Sequence, residues 1–145
     1  SLHAPNDELR NRLVPVNKSI GIQSILAAAD RYFEFSGRRL TYEYVLLSGV
    51  NDQPAHATAL ARHLRGRPAL LNVIPYNPVE GLPYRTPSAK ALKDFRSILE
   101  DAGVTVMVRQ RKGDAINAAC GQLRRKFGQE FVQLATPSDR RDAVV

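Results

Sequence analysis

Apolar positions along this chain switch repeatedly between a helical period and short dense runs. Ile22, Ile25, Leu26, Ala29 and Phe33 recur at helical spacing, the run closes at Ser36-Gly37, and an aromatic and aliphatic stretch from Leu40 to Leu47 follows. That order predicts a helix feeding a buried strand. The unit returns with Pro54 at a helix start, Leu60, Ala61 and Leu64 on the buried face, and Ala69 to Ile74 as the next strand. It returns again with Thr86-Pro87 opening a helix, Leu92, Phe95, Ile98 and Leu99 inside it, Gly103 closing it, and Val104 to Val108 as a strand. Ahead of these units Asn6 is placed to cap a short helix with Asp7 and Glu8 in its first turn and Leu9 and Leu13 as its apolar face, ended by Pro15.

Helices and strands alternating at this spacing predict an α/β fold of βα units on a parallel sheet, either doubly wound or a piece of a barrel. Three strands cannot close a barrel alone. A length of 145 residues, 43% of them hydrophobic, allows one ordinary core and not two full domains. After Phe127 periodicity fades into Thr136-Pro137-Ser138 and a mixed-charge end, so residues 127–145 read as a frayed tail. Apolar runs such as Val45-Leu46-Leu47 and Ala69-Leu70-Leu71 are too short to span a bilayer, so no membrane partner and a soluble chain are expected. The opening Ser1-Leu2-His3-Ala4-Pro5-Asn6 reads as the exit from an earlier strand, which predicts the back part of a longer protein.

Chemistry enters at the loops. In parallel α/β folds, reactive and binding groups collect at the carboxyl ends of strands. His3, Asn51-Asp52, Asn77 and Cys120 all fall at such ends. Cys120 is the only cysteine, so an intramolecular disulfide is excluded, and sparse cysteine fits a reducing cytoplasm. Ala118, Ala119 and Gly121 leave room for a planar partner near its sulfur, while Arg111, Lys112 and Arg124 would favour the thiolate. The net charge of +7 attracts polyanions, and Arg109, Arg111, Lys112, Arg124, Arg125 and Lys126 crowd around Cys120, a rim suited to the phosphates of a nucleic acid. Glu43, among strand residues, is expected to form a structural ion pair with an arginine, with a substrate contact as the alternative. His56 and His63 share one helix and read as solvent residues, since no further ligand completes a metal site. The tyrosines and phenylalanines follow core periodicity and offer no separate platform for stacking bases.

Five segments together carry a resemblance: Ser1-Leu2-His3-Ala4-Pro5-Asn6, Glu43-Tyr44-Val45, Gly49-Val50-Asn51-Asp52, Asn72-Val73-Ile74-Pro75-Tyr76-Asn77-Pro78 and Ala118-Ala119-Cys120-Gly121-Gln122-Leu123. Over residues 1–126 the chain resembles the C-terminal half of the catalytic domain of radical S-adenosylmethionine RNA adenine methyltransferases of the RlmN/Cfr type. The resemblance implies the later βα units of a partial TIM-like barrel. It implies methylation of carbon 2 of an adenine in 23S ribosomal RNA, with transfer RNA as a second substrate of some members, through a methyl group first carried on Cys120. It implies S-adenosylmethionine contacts at Ser1, Leu2, His3 and Asn77. A [4Fe-4S] cluster, its three-cysteine motif, an acidic catalytic residue and a second cysteine are implied upstream of this chain, together with an electron donor for the cluster in the full-length protein. The segment alone is therefore expected to be inactive. Where the family often has aspartates this chain has Ala115 and Asn117, a departure that bears on base positioning and on charge near the thiol. The alternatives are the carbon 8 branch, associated with antibiotic resistance, and a basic RNA-binding module without the chemistry.

Overall fold

The computed structural model describes residues 1–109. Within them the order is α1 (Asp7–Leu13), a 3-10 turn (Pro15–Ser19), α2 (Ile22–Ser36), β1 (Leu40–Leu46), α3 (Pro54–Leu64), β2 (Ala69–Pro75), α4 (Ala89–Asp101) and β3 (Thr105–Val108). The strands form one parallel sheet in the order β1-β2-β3, with Leu40 beside Ala69 and Leu70 beside Thr105.

Local chemistry explains the boundaries. Asn6 caps α1 through its side-chain oxygen, which accepts from the Leu9 N–H at 2.8 Å. α2 stops at Gly37, whose φ of 66° is the left-handed conformation that glycine adopts without a Cβ clash. α4 begins two residues later than Thr86-Pro87 suggests. Ser88 is its cap, with Oγ accepting from the Ala91 N–H at 3.1 Å, while the Thr86 hydroxyl donates to the Tyr76 carbonyl at 2.9 Å. Tertiary contact thus keeps Thr86 in the loop. The 3-10 turn after Pro15 was absent from the periodicity, being too short to show one.

Burial alternates along the strands, and the two faces differ. Tyr42, Tyr44 and Leu46 of β1 and Leu71 and Val73 of β2 share one buried cluster with Ile22 and Leu26 of α2, Leu60 and Leu64 of α3, and Phe95 and Leu99 of α4. All three long helices therefore cover the same face. A doubly wound sheet carries helices on both faces, so the arrangement is that of a barrel wall. The other face carries the exposed Thr41 and Glu43 of β1, the exposed Thr105 and Met107 of β3, and the half-buried Leu70, Asn72 and Ile74 of β2. Inside the cluster the Tyr44 and Phe95 rings meet at a centroid distance of 5.4 Å. Two aromatic residues depart from the expected core periodicity: Phe35 and Tyr32 on α2 are 94% and 45% exposed. Among the described residues no helix is long and apolar enough to cross a membrane.

Candidate functional site at the carboxyl edge of the sheet

The leading segment lies along the outer edge of β1. The Leu2 N–H donates to the Glu43 carbonyl at 2.9 Å, and the Leu2 side chain is fully buried in the core. In a regular parallel ladder the Leu2 carbonyl would then accept from the Val45 N–H. Here that N–H goes instead to the Nδ1 of His3, at 3.1 Å. The imidazole replaces a backbone acceptor. The change of partner follows from the backbone of His3, which turns out of the ladder at φ 59°, an uncommon conformation for a residue with a side chain.

The displaced carbonyls are taken up by side chains. Arg10, only 4% exposed, donates through Nε to the Leu2 carbonyl and through a terminal nitrogen to the Ser1 carbonyl, both at 2.9 Å. Its other terminal nitrogen donates to the side-chain oxygen of Asn17. Asn17 in turn donates to Asp7 at 2.8 Å, and Asp7 also accepts from the Ile22 N–H at 2.8 Å. These two bonds hold the Asp7 carboxyl below its usual range. Asn51 Nδ2 donates to the His3 carbonyl at 2.9 Å, and His63 Nε2 is 3.0 Å from the Pro5 carbonyl. Four of the first five carbonyls thus have side-chain partners.

His3 is accordingly a constrained group. Because Nδ1 accepts a backbone N–H, a neutral ring must carry its proton on Nε2. Burial lowers its pKa from the ordinary 6.5, and the charge of Arg10 acts in the same direction against an opposing Glu43. At neutral pH it is a neutral ring with one donor.

The other expected site residues divide into those the structure describes and those it does not. Asn77 is exposed, two residues past the end of β2 and next to Tyr76, whose N–H donates to the Leu46 carbonyl at the end of β1 at 3.0 Å. Arg109 is exposed just past β3, its N–H donating to the Val73 carbonyl at 2.9 Å. Ser1, Leu2, His3, Asn77 and Arg109 therefore lie along the carboxyl edge of the sheet or its flank. No hydrogen bond joins Asn77 to the Ser1–His3 segment among the described residues. Cys120, Ala115, Asn117, Arg111, Lys112, Arg124, Arg125 and Lys126 lie outside the described residues, as do the boundary at 126 and the tail 127–145.

Three expectations are corrected. Glu43 is exposed and forms no ion pair among the described residues. His63 is no solvent residue but touches the Pro5 carbonyl, and His56 Nδ1 accepts from the Gln53 N–H at 3.3 Å as part of a capping box at the start of α3. Asn51 is fully buried instead of presented from a loop. Arg10 was missed altogether: nothing in the spacing of a short amphipathic helix says that its arginine turns inward.

The comparisons with known proteins agree with this architecture. No protein-family model matches the chain. It is 69% identical over 129 residues to a probable dual-specificity RNA methyltransferase RlmN from Rhodopirellula baltica, covering 89% of this chain and 35% of the relative. A dual-specificity RNA methyltransferase RlmN from Marinobacter nauticus is 49% identical over 125 residues, 85% of this chain and 34% of that protein. The crystal structure of a radical S-adenosylmethionine methyltransferase from Sphaerobacter thermophilus superposes with a TM-score of 0.80 at 48% identity, over 83% of this chain and 36% of that one. The chain belongs to the RlmN-type radical S-adenosylmethionine methyltransferase family. It spans 35% of the length of the Rhodopirellula RlmN. A domain of pyruvate-formate lyase-activating enzyme from Bacteroides vulgatus, 19% identical with a TM-score of 0.59, shares the fold. The expected parallel α/β barrel segment is the fold of this family.

Membership implies S-adenosylmethionine and a [4Fe-4S] cluster, and the residues fit the two differently. Neutral His3 with its single donor, the exposed Asn77 amide and the exposed Glu43 carboxylate are the mix of donors and acceptors that an amino acid and a ribose require. For a cluster the fit fails: the chain has one cysteine, and no group of three or more potential metal ligands occurs among the described residues.

Proposed function

We propose that this chain is the methyl-carrying portion of a cytoplasmic RNA adenine methyltransferase acting on carbon 2 of an adenine in 23S ribosomal RNA, with transfer RNA as a second substrate. In this reading Ser1, Leu2, His3 and Asn77 hold S-adenosylmethionine at the carboxyl edge of the sheet. When bound, S-adenosylmethionine supplies an electrophilic methyl group on a sulfonium. Backbone atoms of Ser1 to His3, held by Arg10 and Asn51, would bind its polar ends, and neutral His3 would donate from Nε2 without adding positive charge beside a cation. Cys120 would take the methyl group by displacement, its thiolate favoured by Arg111, Lys112 and Arg124. Arg109 and the basic residues beyond it would meet RNA phosphates.

The observation that carries this reading is the 69% identity to an RlmN over 129 residues, a span reaching beyond the described residues and joined to a one-sided parallel sheet with polar groups at its carboxyl edge. The test is chemical. In the intact gene product, purified with its RNA, mass spectrometry of peptides is expected to find a methyl group on Cys120, and Cys120→Ala is expected to transfer none to RNA. An alanine variant that still methylates adenine would remove Cys120 from the pathway, and methyl appearing at carbon 8 would move the protein to the other branch.

A further inference from the structure

The Asn51 side chain makes three hydrogen bonds, all to backbone groups at this edge. It is fully buried. Its Nδ2 donates to two carbonyls, that of His3 at 2.9 Å and that of Val45 at 2.8 Å, and its Oδ1 accepts from the Leu47 N–H at 2.7 Å. Its own carbonyl accepts from the Tyr44 hydroxyl at 2.9 Å. The amide therefore bridges the backbone of His3 to the backbone of Val45, and Val45 is the residue whose N–H occupies His3 Nδ1. One side chain fixes both partners of the His3 ring contact. Gly49, at φ 69°, and Asp52, whose Oδ1 accepts from the Gly49 N–H at 2.9 Å, shape the tight turn that folds Asn51 back under the strand end.

We propose that Asn51 is a positioning residue for the candidate site: by tying the His3 carbonyl to the end of β1 it holds the left-handed turn at His3 and locks its imidazole as the Nε2-protonated donor. The identity of the ligand met by that donor rests on the function proposed above; the locking does not. Only an amide fits. A carboxylate of the same shape would set an oxygen against two carbonyls that need donors, and an aliphatic side chain would leave three backbone groups without partners. Freed from the bridge, the backbone of His3 can relax toward ordinary φ, the ring leaves the Val45 N–H, and either ring nitrogen can carry the proton.

The locking can be read without catalysis. Nitrogen-15 NMR of the intact gene product, labelled in histidine, is expected to show a His3 ring with unprotonated Nδ1 and protonated Nε2 at about pH 8, taking up its second proton at lower pH than an ordinary histidine. A His3 ring protonated on Nδ1 in the wild-type protein would overturn the proposal, whatever any variant does. In Asn51→Asp the ring is expected to show both tautomers and to titrate in the ordinary range. If that variant does not fold, Asn51→Ser, which keeps one donor and is smaller, is expected to show the same loss in weaker form. A folded variant of either kind with a wild-type His3 spectrum sinks the assignment. Calorimetric titration with S-adenosylhomocysteine is expected to show about tenfold weaker binding in Asn51→Asp, the scale at which supporting residues act on ligating histidines. A variant with altered His3 but unchanged affinity would leave the locking intact and count instead against His3 as a cofactor contact.

Discussion

His3 shows how one residue can join fold and chemistry. Its ring is a substitute for a missing backbone acceptor, so its protonation state is tied to strand pairing. That coupling makes a pH-dependent stability expected, and the sign follows from linkage. The folded pKa is lowered from 6.5, so as pH falls the unfolded chain takes up a proton that native His3 refuses. Stability from this source is complete above the ordinary value and is lost on the acid side, with a limiting slope of about 1.4 kcal/mol per pH unit per proton. Urea unfolding from about pH 7 to about pH 5 is expected to be flatter in His3→Asn, whose side-chain oxygen can accept the Val45 N–H but does not titrate there. Parallel curves for the two proteins would mean that the native ring protonates as readily as the unfolded one. Arg10 makes the complementary point. A buried guanidinium with three uncharged acceptors, backed by Asp7 through Asn17, is tolerated because every bond lands on an otherwise unpaired oxygen.

At the scale of elements the helices are held mainly by the face they share. Phe95 of α4 is 1% exposed and its ring meets that of Tyr44 of β1 at a tilt of 37°, so it pins α4 to the first strand. Phe95→Ala is expected to cost about 3–5 kcal/mol in denaturant unfolding, the usual range for emptying a buried aromatic site. A loss below about 1 kcal/mol would mean that the cluster closes over the gap. The helix and strand alternation was legible in the sequence because amphipathic helices and apolar strands write their periods directly: Ile22 to Phe33, Leu60 to Leu64 and Leu92 to Leu99 each fall on an observed helix. The site was legible only in part. His3 and Asn77 could be placed at strand ends from order alone. The roles of Asn51, Arg10 and His63 could not, because their partners lie 48, 8 and 58 residues away and hydrogen bonds of that kind leave no period. The exposure of Glu43 escaped for a related reason: alternation says that a strand has two faces, but not that α2, α3 and α4 all pack on the same one.

The described residues form a sheet with their helices on one side, and the full chain carries a net charge of +7. Under the proposed function the exposed Arg109 begins the cationic surface that meets RNA, and counterion release gives its contribution a measurable form. In filter-binding titrations of the intact gene product at several salt concentrations, Arg109→Ala is expected to lower the magnitude of the log K against log salt slope by about 0.7, the value for one contact with single-stranded RNA. An unchanged slope would place that guanidinium away from the phosphates.

The edge segment also carries a message about time. Regular strand pairing can zip residue by residue, but within Ser1 to Pro5 only the first two carbonyls are held by a near neighbour, Arg10, while those of His3 and Pro5 are held from the turn after β1 and from the end of α3. Each such contact must close a long loop of chain, an entropic cost that local helix bonds do not carry. The turn at His3 is therefore expected to form only once β1 and the turn after it are in place. A partly folded chain would have a sheet before it had the His3 turn, and so could not hold a ligand there before its framework was complete.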